Sequence, residues 1–259
     1  MLKSLQRLIA EWKEIRRWEA SGHTDHDAPV ILGRDGFEAF PVDQGELSQW
    51  RLRFLSGGFG LPDYANDDVC KFEGACFEAT LSFGPEYPFE PPALKLIEPI
   101  PCHPNVYHHD ARHGDICISI LHRSGVDGFN THESSSERWK PEYSIRAICV
   151  HVMDLLGHPN MNGGTPASAA VNGVLLRTPA EFAQKTEECA RQSREKAPQD
   201  VFERAARDKQ QFDARHEAYY RQVLEDKRRR EEAPAPPPCI ATEEPGTPQF
   251  DDDTPSSDW

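Results

Sequence analysis

One of the seven cysteines, Cys117, lies within an apolar run and is followed five residues later by His122. Upstream of it, His103-Pro104-Asn105 has the composition of a tight turn, because proline extends the residue before it and the asparagine amide can bond nearby backbone. A thiolate can accept an acyl group from another thioester and pass it to an amine. A neutral amide donor such as Asn105 can stabilise the oxyanion that forms at a thioester carbonyl. Cys117 is therefore a candidate nucleophile, and Asn105 is a candidate oxyanion donor.

The residues around the cysteine alternate, in the order Ile116, Cys117, Ile118, Ser119, Ile120 and Leu121. This alternation predicts a short extended segment. If the isoleucines point inwards, Cys117 points outwards and is accessible. A cysteine in an apolar run is also often a small buried hydrophobe, so the pattern alone leaves both interpretations open.

Length and charge limit the classes of protein to consider. A chain of 259 residues has room for one catalytic domain and an appendage. Lys and Arg total 29 against 43 Asp and Glu, which gives a net charge of −14. Nucleic-acid binding is disfavoured because it requires a basic surface, whereas basic protein partners remain compatible with this charge.

Cysteine usage and the N-terminus bear on the compartment. The seven cysteines are an odd number without a Cys-x-x-Cys pair, which favours a reducing compartment, the cytoplasm and also the nucleus. The N-terminus leads directly into an amphipathic pattern rather than a signal peptide. No apolar run approaches about 20 residues, so we expect no membrane span.

Three runs carry a resemblance to a known family. His103-Pro104-Asn105 followed by Gly114-Asp115-Ile116-Cys117-Ile118 resembles the active-site signature of ubiquitin-conjugating enzymes. Cys117-Ile118-Ser119-Ile120-Leu121-His122, followed by Ser136-Glu137-Arg138-Trp139, resembles the subgroup with an acidic insertion after the active cysteine. Tyr87-Pro88-Phe89-Glu90-Pro91-Pro92 resembles the Tyr-Pro-x-x-Pro-Pro segment of the same family. The resemblance covers about residues 2–193.

The resemblance implies a function for the chain. Cys117 would accept ubiquitin as a thioester from the ubiquitin-activating enzyme and transfer it to substrate lysines with a RING-type ligase, for protein degradation. Asn105 would stabilise the oxyanion or hold the loop that does so. Thr165, in the loop 163–166, is a candidate polar residue near the cysteine. No cofactor and no metal are expected, because ATP is used by the upstream activating enzyme.

The resemblance also implies contact surfaces. Arg7, on the first helix, would contact the activating enzyme and ligases through an exposed basic side chain. Phe89 would be an exposed aromatic residue at a ligase contact, and Trp139 and Pro141 would belong to a second ligase-contact loop.

An irregular loop over residues 123–137 carries the acidic residues Asp127 and Glu133. Its Gly, Asn and Ser content is typical of loops. The loop is either a solvated surface loop or, by the resemblance, an acidic insertion that places the incoming lysine or the donor ubiquitin.

The periodicity of the chain predicts an α+β fold with an N-terminal helix, a four-stranded antiparallel meander sheet and C-terminal helices. Apolar residues at helical spacing define the first helix: Leu5, Leu8, Ile9, Trp12 and Ile15. Strands are predicted at 37–40, 48–55, 77–83 and 93–97. Ser144 caps a helix over 145–156 that Gly157 closes, and Thr178 and Glu181 form a capping box for a helix that ends near residue 192.

Composition divides the chain into a catalytic domain at 1–193, a charged helical extension at 194–232 and a tail at 233–259. The extension carries a broken apolar stripe, which is compatible with a solvated helix or a partner-binding helix. Counted from Glu231, the end of the chain has eight acidic residues and no basic ones, which predicts disorder. Such a tail either binds a basic surface on a ligase or only keeps the protein soluble.

Other interpretations of the same residues remain. One is a non-catalytic binding module of the same fold, which the presence of both Cys117 and Asn105 disfavours. A second is a metal site, since histidine and cysteine are zinc ligands, although their spacing fits no familiar finger; its members would be His103, His108, His109, His113 and Cys117. A papain-like thiol hydrolase fits less well, because no cysteine has the local signature of that class.

Cys117 stands twelve residues after Asn105, further than in the family pattern, with the extra residues at 108–113.

Overall fold

The computed structural model describes residues 2–21, 35–55, 72–125, 133–160 and 167–232. Four strands form one antiparallel sheet in the order β1 to β4, as predicted: β1 Phe37–Asp43, β2 Glu46–Leu55, β3 Cys76–Ser82 and β4 Ala93–Ile97. The first two strands are longer than predicted because a tight hairpin joins them, in which Gly45 donates its N–H to Asp43 Oδ1 at 2.7 Å. Apolar side chains on one face of the sheet form most of the core, including Trp50, Leu52, Phe54, Ala79, Leu81, Leu94 and Leu96.

Helix α1 spans Leu2–Ser21 and packs on this sheet through Leu8, Ile15 and Trp12. The Trp12 ring meets Trp50 edge to face at 5.6 Å between centroids. Leu5 and Ile9, which belong to the predicted apolar stripe, are exposed.

The polar residues Ser4 and Glu11 take the corresponding places on the buried face of α1. Glu11 can be buried because its carboxylate pairs with Arg7 at 2.7 Å and accepts the N–H of Ile145 at 3.2 Å. Burial raises the pKa of Glu11, and its partners oppose that rise. Arg7, predicted to be exposed, is half-buried and also donates to the Tyr143 carbonyl at 3.1 Å. This side chain therefore ties α1 to the start of the next helix.

Helix α2, Ile145–Gly157, begins where predicted, and the Ser144 hydroxyl accepts the N–H of Ala147 at 3.1 Å. Its inner face fills the core with Ile148, Cys149 and Val152, so Cys149 is a packing residue.

A helix absent from the sequence predictions, α3 at Ala169–Arg177, is capped by Ser168. Helix α4, Pro179–Lys196, follows directly, and its predicted capping box does not form. Thr178 also ends α3, because its N–H donates to Val174 O at 2.8 Å, and its hydroxyl donates to Val174 and Glu181. The Thr178 N–H and hydroxyl that a capping box would use are therefore engaged by the end of α3 and by Glu181.

Helix α5 spans Gln199–Glu232, within the predicted extension. Its first turns are docked, because Val201 and Ala205 are fully buried against Leu55 and Cys76. One compact unit runs to Ala218. The second unit begins at Tyr219, and in its described part the exposed large apolar side chains are Tyr219, Tyr220, Val223 and Leu224. The predicted disordered tail lies outside the described residues.

No helix in the described ranges is both long enough and apolar enough to cross a lipid bilayer.

Gly114 packs so closely against the backbone of Leu96 that a side chain at this position should destabilise the protein. Its φ is +89°, and a Cβ at this position would lie 2.6 Å from the backbone oxygen of Leu96. We expect Gly114→Ala to lower the free energy of unfolding by about 1–3 kcal/mol or more, because the left-handed backbone and the clash act together. Urea unfolding measures this change. Gly84→Ala is the control, since nothing lies within 4 Å of its Cβ position. Equal midpoints for the two variants would contradict the prediction.

Candidate active site around Cys117

A short hairpin brings Asn105 and Cys117 together. Cys117 donates its N–H to the Asn105 carbonyl at 2.8 Å, and Tyr107 donates to Asp115 O at 2.9 Å. These bonds close the base of the hairpin, and residues 108–113 form its tip. The long spacing between the asparagine and the cysteine is thus taken up by the tip, and the two residues remain adjacent.

Burial around Cys117 follows the predicted alternation. Ile116, Ile118 and Ile120 are buried, and Cys117 is half-buried. The extended backbone ends at Ile118, because Ser119–Leu121 forms a 3-10 turn rather than a longer strand. The sulfur atom therefore lies at the surface edge of an otherwise apolar segment.

The other described cysteines are all free thiols. Burial raises the pKa of Cys76 to about 12 and that of Cys102 to about 11. Burial also raises the pKa of Cys149 and of Cys189. Because the thiolate is the nucleophilic form, these four side chains are unsuited to acyl transfer at neutral pH.

Asn105 is 6% exposed, and both polar atoms of its side-chain amide bond the backbone of a single residue, Asn160. Its Oδ1 accepts the N–H of Asn160 at 2.9 Å, and its Nδ2 donates to Asn160 O at 3.2 Å. Asn160 lies just after α2. Of the two roles expected for Asn105, this geometry favours holding the segment after α2 beside the cysteine.

His103 supports the same turn from inside the protein. Its Nδ1 accepts the N–H of Asn105 at 3.1 Å, and its side chain is fully buried. Burial lowers the pKa of His103 to about 3, so the ring is neutral at physiological pH. A neutral ring can serve as the acceptor that this bond requires.

A second polar cluster lies beside the sulfur. His122 Nε2 is 3.9 Å from Cys117 Sγ, and His122 Nδ1 is 2.8 and 2.9 Å from the two carboxylate oxygens of Glu133. Ser119 donates to Glu133 at 2.9 Å, and Arg138 lies 3.4 Å from it. Glu133, expected in a solvated or lysine-placing acidic loop, is only 7% exposed and faces inward. Its predicted neighbour Asp127 lies outside the described residues.

Sequence reasoning did not find this cluster. The histidine five residues after the cysteine was its only visible sign. A 3-10 turn reverses the chain between the two residues, and the chain then returns so that Trp139 donates its N–H to the His122 carbonyl at 3.0 Å. The cluster therefore depends on how the loop folds back, which spacing alone does not reveal.

The predicted ligase contacts have different environments. Phe89 is 63% exposed, as predicted, and Pro141 is exposed. Trp139 is 2% exposed, and its indole N–H donates to the Pro88 carbonyl at 2.7 Å. The ring of Trp139 therefore packs inside the protein and leaves almost no surface for a partner to contact. Thr165 lies outside the described residues.

Two histidines of the hairpin are paired with acidic side chains. His113 Nε2 is 2.8 Å from Glu98, and His109 Nδ1 is 3.0 Å from Asp110. Across the described part of the chain, no three His, Cys, Asp or Glu side chains are grouped so as to hold a metal ion. The alternative metal site is thus not formed by these residues.

Comparison with known proteins gives one family. Residues 34–190 match the family model described as "Ubiquitin-conjugating enzyme". The "Ubiquitin-conjugating enzyme E2-18 kDa" of Schizosaccharomyces pombe is 37% identical over 166 residues, 64% of this chain and 82% of that protein. The "Probable ubiquitin-conjugating enzyme E2 7" of Caenorhabditis elegans is 34% identical over 161 residues, 62% of this chain and 87% of that protein.

Among solved structures, that of human ubiquitin-conjugating enzyme E2 G1 is 32% identical, covers 60% of this chain and 95% of its own, and has a TM-score of 0.41. The range matched by the family model contains Asn105, Cys117, His122 and Glu133.

Proposed function

Since the chain belongs to the ubiquitin-conjugating enzymes, transferases that act through a cysteine thioester, we propose that Cys117 is the cysteine that carries ubiquitin. The observation that carries this proposal is the hairpin base, where the half-buried Cys117 donates its N–H to Asn105. This hairpin places the sulfur atom at the surface next to Asn105, whose side chain holds the segment after α2. The four other described cysteines are held as neutral thiols by burial.

The reaction has two steps. In the first, the Cys117 thiolate attacks the ubiquitin carbonyl carbon of the thioester on the activating enzyme, and the thiolate of that enzyme leaves. In the second, a neutral lysine amine attacks the same carbon, the bond to Cys117 breaks, and the amine proton passes to solvent or a nearby base. Asn105 holds the segment after α2 in place during the second step, in which negative charge develops on the carbonyl oxygen. ATP is consumed only upstream, and the transfer itself needs no cofactor.

A charging assay tests the proposal. The full-length protein is incubated with ubiquitin-activating enzyme, ATP and ubiquitin, and the products are separated by non-reducing gel electrophoresis. We expect an adduct of one ubiquitin that a reducing agent removes and that does not form without ATP. Absence of the adduct under conditions that charge another ubiquitin-conjugating enzyme would overturn the proposal.

We further propose that the charged enzyme works with a RING-type ligase, in the degradation of proteins. Support comes from the exposure of Phe89 and Pro141, two of the positions that the family resemblance assigns to ligase contact. Trp139 is left out of this surface because it is buried. The free cysteines support action in the reducing environment of the cytoplasm and the nucleus. Roles for Asp127 and Thr165 near the thioester are part of the same proposal.

Phe89→Ala should separate ligase use from charging. An exposed aromatic anchor at an interface typically contributes enough binding energy that its truncation weakens binding about tenfold or more. We expect RING-stimulated discharge of ubiquitin to fall by about that factor at subsaturating ligase, while thioester formation stays unchanged. Val42→Ala, at a side chain of similar exposure, is the control and should behave like wild type. Unchanged stimulation in Phe89→Ala with every RING ligase tested would reject this contact.

A further inference from the structure

Two thiols outside the candidate active site are in direct contact. Cys102 immediately precedes the His103-Pro104-Asn105 turn, and Cys189 lies on α4. Cys102 donates its backbone N–H to the Cys189 sulfur. Both side chains are half-buried, pack against the main core and are free thiols. The contact therefore joins α4 to the turn that carries Asn105.

This contact suits the geometry of a disulfide. The Cα atoms of bridged cysteines lie about 4.4–6.8 Å apart, so the two residues must already be neighbours in the fold. A sulfur that accepts the backbone N–H of the other cysteine is such a neighbour. The two sulfurs also influence each other, because burial raises the pKa of Cys102 and a charge on Cys189 raises it further. Cys102 and Cys189 are therefore placed to bond without a large movement of either element.

Exposure separates this pair from the cysteines of the core. Cys76 and Cys149 are 2% and 0% exposed, whereas Cys102 and Cys189 are half-buried. A small oxidant in solvent consequently reaches the pair more readily than it reaches the core thiols.

Neighbouring groups stabilise a thiolate at each sulfur. At Cys189, burial is the main cause that raises the pKa, the Cys102 N–H lowers it, and the charges of Glu188 and Glu98 raise it by smaller amounts. At Cys102, burial raises the pKa to about 11, and the charge of Lys185 lowers it. Because the thiolate is the form that attacks an oxidant, the directly bonded N–H favours Cys189 as the first sulfur to react.

We propose that Cys102 and Cys189 are a redox-modification site, which forms a reversible disulfide when the protein meets a peroxide. The inference does not depend on the role proposed for Cys117. The Cys189 thiolate attacks one oxygen of hydrogen peroxide, the O–O bond breaks and hydroxide leaves, which gives a sulfenic acid. The Cys102 sulfur then attacks the Cys189 sulfur, the S–O bond breaks, and the oxygen leaves as water. Two thiols lose two electrons in total, and one peroxide is reduced to two waters.

The disulfide would fasten α4 to the turn beside the candidate active site. Cys102 is bonded in sequence to His103, whose Nδ1 accepts the N–H of Asn105 at 3.1 Å. In a reducing compartment, disulfides are usually transient and sense the redox state. Thiol–disulfide exchange with a reduced dithiol would restore both thiols. The bond is thus a tether that oxidation closes and reduction opens.

Peptide mapping of the folded full-length protein tests the proposal. The protein is treated with graded amounts of hydrogen peroxide, quenched with iodoacetamide and digested without reductant, and the peptides are identified by mass spectrometry. We expect a cross-linked Cys102–Cys189 peptide that increases with peroxide and disappears with dithiothreitol, while the free thiols of both residues decrease in parallel. Cys102→Ser and Cys189→Ser should each lose the cross-link. Cys239→Ser, near the end of the chain, is the control and should keep it.

Urea-unfolded wild type shows whether the fold directs the pairing. The native contact predicts that the Cys102–Cys189 cross-link is favoured in the folded protein, whereas in urea these residues should pair with other cysteines as well. A cross-link that is no more frequent in the folded protein than in urea would overturn the proposal. Separate oxidation of the two thiols to sulfinic acids, without a cross-link, would also overturn it.

Thermal unfolding of wild type covers the case in which the variants fold poorly. The cross-linked protein should unfold at a higher temperature than the reduced protein, because a bond between residues distant in sequence restricts the unfolded chain. Dithiothreitol should return the midpoint to that of the reduced protein. A lower midpoint for the cross-linked protein would show that the bond distorts the fold, and would contradict a site built for it.

Discussion

Cys117→Ala is expected to form no ubiquitin adduct with the activating enzyme, ATP and ubiquitin. The thioester bond needs a sulfur nucleophile, and Cys117 is the half-buried thiol at the edge of the apolar segment. Cys117→Ser should instead form an adduct that survives a reducing agent, because an oxyester replaces the thioester. The gel assay with and without reductant distinguishes the three proteins.

Cys189→Ser provides the matched control for loss of a cysteine. Cys189 is a free, partly buried thiol on α4 whose pKa is raised by burial, so its replacement should leave the adduct intact. A reducible adduct in Cys117→Ala would contradict the assignment of Cys117 as the ubiquitin-carrying residue. Loss of the adduct in Cys189→Ser alone would assign that role to Cys189 instead.

Asn105→Ser is expected to slow discharge of ubiquitin to free lysine by about 10²-fold, the scale of one lost oxyanion-stabilising group. The Asn105 amide spans the N–H and the carbonyl of Asn160, whereas a serine hydroxyl is too short to make both bonds. The segment after α2 would then lose its anchor beside the thioester. Charging should persist, because the Cys117 thiolate and the Asn105 backbone carbonyl that holds Cys117 are unchanged.

Single-turnover discharge of purified thioester measures the effect of Asn105→Ser. Asn160→Ala is a useful companion, because the two bonds from the Asn105 amide go to backbone atoms of this residue and survive the substitution. We expect Asn160→Ala to discharge within a few-fold of wild type. Equal discharge rates for Asn105→Ser and wild type would reject a role for Asn105 in transfer.

Local features of the fold were predictable because their causes are local. The strand over 93–97 and the helix capped by Ser144 follow from apolar periodicity and from one hydrogen bond within a single turn. The capping box at Thr178 failed because α3, which the sequence did not reveal, ends on the same residue. On α1, helical periodicity alone placed Leu5 and Ile9 in the core. The structure buries Glu11 instead, because α2 and Arg7 supply its partners.

The candidate site divides in the same way. The sequence by itself determined the α+β class, the alternation of isoleucines around Cys117, and the Asn105 and Cys117 pair, because these depend on neighbouring residues and a recognisable motif. Only the tertiary structure decided that Trp139 is buried and that Glu133 turns inward. It also brought His122 to the sulfur. These outcomes depend on a loop that returns to the core, where a buried carboxylate must find Arg138 and His122 as partners.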